Sequence, residues 1–247
     1  MKWFFLVLSL MCLGCNAVPP ERLQTFQDAQ SAFDAGEYRQ SAALYEQLLD
    51  QGVQSGAVYY NLGNAWAKAD EPVRAVAAYY HAKRYIPNDS HMNANLQTVL
   101  ASNGGTMPPP ENSFVDLLFF WQNQVGCHVK IWGSLALTAL TFLEGVFYLF
   151  RQTKRRKRLL IGTAFFTAIT FVSIGYDWYR FERVEQVIVT ANVLPRKGNS
   201  EQYEPALVSP IPFGTLAVVL DERNDWYFLR FASGLEGWLP RSQTFRL

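Results

Sequence analysis

Two long apolar stretches joined by a short basic segment constrain this chain more than any other feature of its sequence. The first stretch covers residues 131–150 and the second covers residues 159–176. Each is long enough to cross about 30 Å of hydrocarbon as a helix. Because the connection over residues 151–158 is too short to form a domain, the pattern predicts a hairpin of two transmembrane helices.

The connecting segment carries six positive charges and no negative charge. The six residues are Arg151, Lys154, Arg155, Arg156, Lys157 and Arg158. Short loops rich in Lys and Arg remain on the cytoplasmic side of a membrane. We therefore interpret residues 151–158 as a basic cytoplasmic loop and a topology signal. This orientation places both flanking parts of the chain on the opposite, non-cytoplasmic side.

Residues 1–17 have the proportions of a secretory signal peptide, with a Lys at the start, a short apolar run and small residues near the end. Three outcomes remain open for this segment. The chain is cleaved after Ala17, or it is lipid-modified at Cys15, or the segment stays as an uncleaved anchor. An exported N-terminal region agrees with the orientation predicted for the hairpin.

Residues 56–89 match the pattern of a tetratricopeptide (TPR) repeat, a pair of antiparallel helices spread over about 34 residues. The places of the pattern hold Tyr59, Leu62, Gly63, Trp66, Ala75, Tyr79, Ala82 and Pro87. The small residues let the two helices approach closely, the aromatic rings fill wider gaps, and the proline ends the second helix. A degenerate repeat before this unit and one polar-faced helix after it predict a five-helix TPR domain over residues 21–103.

Two short segments connect this domain to the membrane. Residues 104–113 form a Pro-rich linker, because consecutive prolines make a stiff spacer. Residues 114–126 place Phe114, Leu117, Leu118 and Trp121 on one helical face. That pattern predicts an interfacial amphipathic helix; the alternative is an N-terminal extension of the first span.

Residues 184–247 have an all-β pattern. β-branched and aromatic runs alternate with Gly, Pro and Asn-Asp turn signals, which predicts short antiparallel strands. The order of the motifs resembles that of the bacterial SH3-like domain, which implies a small β-barrel. These motifs are Phe213-Gly214-Thr215, Asp225-Trp226, Gly234 and Gly237-Trp238. The predicted fold class is therefore multidomain: an α-helical repeat domain, a two-helix membrane hairpin and a C-terminal SH3-like domain.

The TPR resemblance also implies a binding groove, because the first helix of each TPR pair lines a concave surface. By this analogy the groove carries Asn61, Asn64, His91 and Asn95. These residues include no Lys or Arg, so the charge-assisted bonds that would hold a carboxylate are missing. We predict a neutral, amide-lined groove that binds an internal segment of a protein partner. The alternative is that these asparagines only cap helices and pad helix contacts.

The two predicted spans contain small and polar residues at helical spacing, which let membrane helices pack closely. They are Ser134, Thr138, Thr141 and Gly145 in the first span and Thr163, Thr167 and Thr170 in the second. An ionisable residue inside a span is a functional candidate, and Glu144 is one. Its role remains open between neutralisation by a cation such as Arg151, about 10 Å away along the helix, contact with a partner's membrane helix, and ion or proton conduction.

Composition and motifs argue against several other classes of function. The chain has 247 residues and a net charge of +1, which disfavours nucleic acid as a partner. It contains no phosphate-binding loop, no dinucleotide fingerprint and no zinc-protease or serine-hydrolase motif. The three histidines and three cysteines do not have metal-ligand spacing. We therefore expect no enzymatic activity and no cofactor or metal.

The whole arrangement is similar to the Bat-type aerotolerance proteins of the BatE kind. The segments that carry this resemblance are YYNLGNAW, RAVAAYYHAKRYIPND, NANL, the basic hairpin segment and DWYFLRFASGLEGWLP. The resemblance implies a scaffold of the bacterial inner membrane with both soluble domains in the periplasm. Its implied partners are membrane proteins with von Willebrand A domains and a MoxR-type ATPase. Two alternatives are a peptidoglycan-binding module that acts through the SH3-like domain and a membrane conduit component centred on Glu144.

The predicted orientation is testable with reporter fusions. Alkaline phosphatase, which is active only outside the cytoplasm, should be active when fused after Asn103 and after Leu247. A reporter inserted at Lys154 should be active only in its cytoplasmic version, because the positive charges hold that segment inside. Active phosphatase at Lys154 would contradict the orientation.

Overall fold

The computed structural model describes residues 19–107, 121 and 124–247. The predicted signal peptide, residues 108–113 of the predicted linker and most of the predicted interfacial helix lie outside these residues.

Five helices form the N-terminal helical domain. They are α1 (Pro20–Asp34), α2 (Tyr38–Asp50), α3 (Gly56–Lys68), α4 (Pro72–Lys83) and α5 (Ser90–Ser102). The helix ends follow local sequence signals. Gly36 and Gly52 adopt positive φ values of 81° and 82° in the turns after α1 and α2, which glycine does without steric cost. The side chain of Asp89 caps α5 by accepting a hydrogen bond of 2.7 Å from the backbone N–H of Met92.

The crossing of α3 and α4 is the most tightly packed part of this domain. A methyl group placed on Gly63 would lie 2.5 Å from Cε1 of the Tyr79 ring. Tyr79 is 1% exposed and Ala75 is fully buried. The two helices therefore approach as closely as the small residues in the sequence predicted, with an aromatic ring directly over the glycine.

Two long helices follow the helical domain. They are α6 (Cys127–Phe150) and α7 (Lys154–Trp178), and α7 continues into a π-helical turn over Tyr179–Arg183. With 24 and 25 residues, each spans about 36 Å, and both are apolar enough to cross a membrane. Their outer faces expose large apolar side chains such as Phe142, which is 70% exposed, and Phe165, which is 62% exposed.

The predicted basic loop is mostly helical. Only residues 151–153 separate α6 from α7, and Lys154–Arg158 form the start of α7 rather than a loop over the whole of 151–158. The helix begins here because the Thr153 hydroxyl caps it by accepting from the backbone N–H of Arg156 at 3.3 Å. Lys and Arg are good helix formers, so nothing interrupts the helix after the cap.

The C-terminal part is a five-stranded antiparallel sheet. Its strands are β1 (Gln186–Val189), β2 (Leu216–Arg223), β3 (Trp226–Phe231), β4 (Glu236–Pro240) and β5 (Thr244–Arg246), in the order β4-β3-β2-β1-β5. The predicted Asn-Asp turn joins β2 to β3, with Asn224 at a φ of 51°. Gly234 adopts a φ of 79° in the next hairpin. The long segment between β1 and β2 folds back onto β4, where the backbones of Arg196 and Trp238 form a bridge.

The sheet and the helical domain share one apolar core, which the sequence did not predict. Ile188 and Phe213 are buried in the same cluster as the cores of α2–α5. Tyr80 of α4 donates a buried hydrogen bond of 3.0 Å to the carbonyl oxygen of Gly214. Gly214 has a φ of 75° and leaves no room for a Cβ against Leu100. The helical domain and the sheet therefore form a single packed unit.

The helical domain also contacts one end of the hairpin formed by α6 and α7. The carbonyl oxygen of Arg84 accepts a hydrogen bond of 3.2 Å from the backbone N–H of Cys127. The guanidinium of Arg84 lies 3.2 Å from the carboxylate of Glu182. Since Cys127 begins α6 and Glu182 follows α7, these contacts join the domain to the end of the hairpin opposite residues 151–153. The sheet continues from that same end.

The Gly63 crossing gives a direct test of the packing. Gly63→Leu should lower the free energy of unfolding of the full chain by about 1–3 kcal/mol, because the added side chain collides with the buried Tyr79 ring. Ala57→Leu is the matched control, since Ala57 is exposed on the same helix. Thermal unfolding in detergent measures both variants. Equal stability of the two would contradict the close crossing.

Candidate partner-binding groove and membrane hairpin

Two of the predicted groove residues meet in a hydrogen-bond network between α3 and α5. Asn64 Oδ1 accepts from the Tyr79 hydroxyl at 2.8 Å and from Asn95 Nδ2 at 2.8 Å. Asn95 Nδ2 also donates to the Tyr60 hydroxyl oxygen at 3.2 Å. Neighbouring helices of the domain are therefore joined by amide and hydroxyl groups that carry no charge.

Burial keeps this network neutral. It raises the pKa of Tyr79, and the nearby Tyr60 hydroxyl adds to the effect, while the hydrogen bond from Asn95 opposes it. The Tyr79 hydroxyl therefore stays protonated at physiological pH and remains a donor to Asn64. The protonated Tyr79 phenol and the amides of Asn64 and Asn95 are therefore linked by hydrogen bonds that do not change with pH in that range.

The other two predicted groove residues lie apart from this network. Asn61 faces α2, where burial raises the pKa of Tyr45 and a hydrogen bond with the Asn61 side chain opposes that shift. His91 is exposed in the first turn of α5. The structure thus brings Asn64 and Asn95 together and leaves Asn61 and His91 outside their network. The three asparagines each have a contact within the fold, and partner binding at this face remains a prediction.

Small residues lie near the predicted groove residues in sequence. Ala57 lies one turn before Asn61 on α3, and Ala94 lies one turn after Ser90 and directly before Asn95 on α5. Both alanines are exposed. We define the amide groove as Tyr60, Asn61, Asn64, His91 and Asn95 together with these two alanines. In the described structure Tyr60, Asn61, Asn64 and Asn95 are half-buried and His91 is exposed, in contrast to the Val76 and Tyr80 side of α4, which the sheet buries.

A series of contacts between aromatic side chains connects helix α3 to the hairpin of α6 and α7. His81 stacks on Tyr59 at 5.1 Å, Tyr59 stacks on Tyr85 at 5.9 Å, and Tyr85 meets the edge of His128 at 5.2 Å. Burial and the positive charge of Arg84 lower the pKa of His81, so its imidazole is neutral at neutral pH. These contacts join the helix that carries the groove to the first turn of α6.

Inside the hairpin, the polar residues predicted to promote packing contact one another. The hydroxyls of Thr141 and Thr167 are 3.0 Å apart. Ser134 of α6 and Ser173 of α7 are 2% and 4% exposed. These side chains lie between the two helices, so the small and polar stripes serve the contact of α6 with α7.

Glu144 is hydrogen-bonded across this contact. Its Oε2 atom accepts from the Thr163 hydroxyl at 2.7 Å. In the part of the chain that the structure describes, no Lys or Arg side chain forms an ion pair with Glu144, so the predicted neutralisation by a cation such as Arg151 is not found. Arg156, the basic side chain that turns back toward α6, instead donates to the carbonyl oxygen of Phe147 at 2.7 Å and caps that helix. Partner contact and ion conduction at Glu144 stay predictions.

The sequence analysis missed an ion pair at the opposite end of the hairpin. Lys130 Nζ lies 2.7 Å from Asp177 Oδ2, and the two side chains are only 6% and 12% exposed. The positions of the two residues in their helices could have predicted this pair. Lys130 is the fourth residue of α6 and Asp177 is next to last in α7. In an antiparallel hairpin the start of the first helix lies beside the end of the second. The pair fixes the register of the two helices.

The sheet carries an open cleft of about 710 Å³ where β3 begins and β4 ends. Trp226 and Pro240 supply apolar surface, and amide, hydroxyl, carboxylate and guanidinium groups surround them. The lining residues are Asn199, Ser200, Glu201, Gln202, Asp225, Trp226, Pro240, Arg241 and Ser242. Such a mixture suits a peptide or glycopeptide better than a small apolar ligand.

The described residues contain no group of three or more His, Cys, Asp or Glu side chains that could hold a metal ion. Cys127, at the start of α6, is a half-buried free thiol.

The ion pair between Lys130 and Asp177 gives a stability test of the hairpin. Lys130→Met should destabilise the full chain by about 3–5 kcal/mol, because it removes the ammonium group that lies 2.7 Å from the buried Asp177 carboxylate. The double variant Lys130→Met with Asp177→Leu should recover most of this loss, since an apolar pair of similar volume replaces the ion pair. Thermal unfolding in detergent measures both. A double variant as unstable as the single one would contradict the pairing.

A comparison of the chain with protein-family models and with curated proteins finds no match.

Proposed function

We propose that the protein is a non-enzymatic scaffold of the bacterial cell envelope that binds protein partners through its helical domain. In this proposal α1–α5 are a TPR domain, and β1–β5 with their connecting segments are an SH3-like domain. The protein acts in a Bat-type membrane complex with proteins that carry von Willebrand A domains and with a MoxR-type ATPase. This assignment rests on the family resemblance of the sequence motifs.

The observation that carries the proposal is the amide groove. One side of the helical domain is buried by the sheet through Tyr80 and Phe213. On the side formed by α3 and α5, the half-buried amides of Asn64 and Asn95 are held in place by hydrogen bonds. Amides offer both donors and acceptors, which suits the backbone of an extended polypeptide. A partner segment bound here needs no charge, so its affinity should depend only modestly on salt.

The position of the groove suits a membrane scaffold. Its helix α3 connects through Tyr59, Tyr85 and His128 to the first turn of α6. A partner bound in the groove is thereby held close to the membrane surface. The helical domain and the sheet lie at the same end of the hairpin, and the basic residues lie at the other. This separation supports an inner-membrane location with both soluble parts in the periplasm.

A bulky charged side chain beside the groove should block it without unfolding the domain. Ala94→Arg places a guanidinium next to Asn95 at an exposed position. The full chain is crosslinked in native membranes and then purified. We expect the amount of von Willebrand A-domain partners recovered with it to fall by about tenfold or more. One poorly accommodated charge at a contact costs more than about 1.4 kcal/mol of binding free energy. Quantitative mass spectrometry of the crosslinked material measures this loss.

Ala43→Arg is the matched control for this experiment. Ala43 is exposed on α2, outside the groove, so the same substitution should leave partner recovery unchanged. Thermal unfolding of both variants shows whether the fold is kept. If the two variants recover the same partners with equal yield, the groove is not the binding surface.

The cleft of the sheet supports a second candidate function, which is binding of peptidoglycan peptides. Trp226 offers a flat apolar surface, and Asp225 and Arg241 flank it with opposite charges, as amphoteric stem peptides require. Retention of the full chain by purified peptidoglycan, and its loss in Trp226→Ala, would favour this candidate. The Ala94→Arg variant should be retained normally in that assay.

A further inference from the structure

The turn between α6 and α7 presents five cations on one small surface. Arg151, Lys154, Arg155, Lys157 and Arg158 are all exposed. We call them the cationic turn. The sixth basic residue, Arg156, is excluded because its guanidinium caps α6 at Phe147. The structure thus separates one cation with an intramolecular acceptor from five that point outward.

The cationic turn is electrostatically unfavourable within the chain itself. Four of its five residues lie in the first two turns of α7, next to the positive end of the helix dipole. Lys154 and Arg158 are four residues apart, a spacing at which like charges repel. Among the described residues, no ion pair involves any of the five. We therefore expect these cations to be more stable with a bound external anion than with water alone.

The turn is also rigid, which lowers the entropy lost on binding. Only residues 151–153 lie outside the two helices. The Thr153 hydroxyl caps α7, and the Arg156 guanidinium holds the end of α6 at 2.7 Å. The five cations are consequently held on a short, fixed frame rather than on a flexible loop.

Apolar residues directly beneath the cations determine what kind of anion can reach them. Leu149 and Phe150 at the end of α6 are 72% and 85% exposed, and Leu159 of α7 is 51% exposed. These side chains mark the edge of the hydrocarbon, because they would otherwise face water. From Lys154 to Arg158 the helix rises about 6 Å, which matches a headgroup layer roughly 5–8 Å thick.

We propose that the cationic turn binds the phosphate groups of anionic phospholipids. Its charges lie at the depth of lipid phosphates rather than projecting into water, where a soluble partner would dock. Arg and Lys side chains at this depth form charge-assisted hydrogen bonds with phosphate oxygens. The site anchors the hairpin to anionic lipid and does not depend on the proposed scaffold function or on which leaflet the turn faces.

The test uses the purified full chain in nanodiscs of phosphatidylcholine with and without phosphatidylglycerol. Native mass spectrometry counts the phosphatidylglycerol molecules that remain bound after release. Arg155→Gln with Arg158→Gln removes two cations and keeps four in the basic segment, so the topology signal is retained. Each cation near an anionic surface contributes roughly fivefold in affinity, so the affinity for phosphatidylglycerol should fall roughly twenty-five-fold.

The control is Arg223→Gln with Arg230→Gln, which removes two exposed cations from the sheet. It should retain phosphatidylglycerol like the unchanged chain. Equal retention by the turn variant and the control would overturn the proposal. So would stabilisation of the detergent-solubilised chain by inorganic phosphate to the same extent as by phosphatidylglycerol. Loss of a crosslinked acidic protein from the turn variant, with lipid retention unchanged, would assign the turn to that protein instead.

Discussion

Helix α4 is packed against three different parts of the protein, and their relative positions depend on it. Tyr79 lies over Gly63 of α3, where no side chain could fit. The next residue, Tyr80, donates to Gly214 of the sheet. At the end of the helix, Arg84 contacts Glu182, which follows α7. Since adjacent residues of a helix point in different directions, one short helix can contact the preceding helix, the sheet and the end of the hairpin at the same time.

The sheet buries a face of the helical domain that would otherwise be exposed. It covers Tyr80 and completes a core that α4 and α5 leave open. A layer of helices needs a neighbouring element to bury its apolar face. Because the sheet supplies that neighbour, α4 and α5 are held in a fixed position relative to the sheet.

The hairpin divides its polar residues between two tasks. Those inside it, such as Thr141 and Glu144, make hydrogen bonds across the helix contact, where lipid could offer none. The ion pair of Lys130 and Asp177 joins the helices at the end nearest the soluble domains. Most of the cations at the other end face outward. The hairpin therefore combines hydrogen-bonded contacts between its helices with a strongly charged turn between α6 and α7.

Local patterns predicted the elements of this fold because each pattern is the direct result of backbone geometry. The apolar lengths predicted α6 and α7, and the small residues predicted the close crossing at Gly63. The Asn-Asp turn predicted the connection of β2 to β3. The predicted loop over 151–158 was too long, since a single hydroxyl, that of Thr153, was enough to start α7.

For the candidate site, the sequence alone predicted which residues would share one face of the helical domain, and the tertiary structure decided which of them meet. Asn64 and Asn95 are 31 positions apart, and only the packing of α3 beside α5 brings them within 2.8 Å. The shared core of helices and sheet was equally invisible, because Tyr80 and Gly214 are 134 positions apart. Spacing along the chain specifies helices and strands through short-range geometry. Contacts between distant segments depend on shape and buried area, which no local pattern contains.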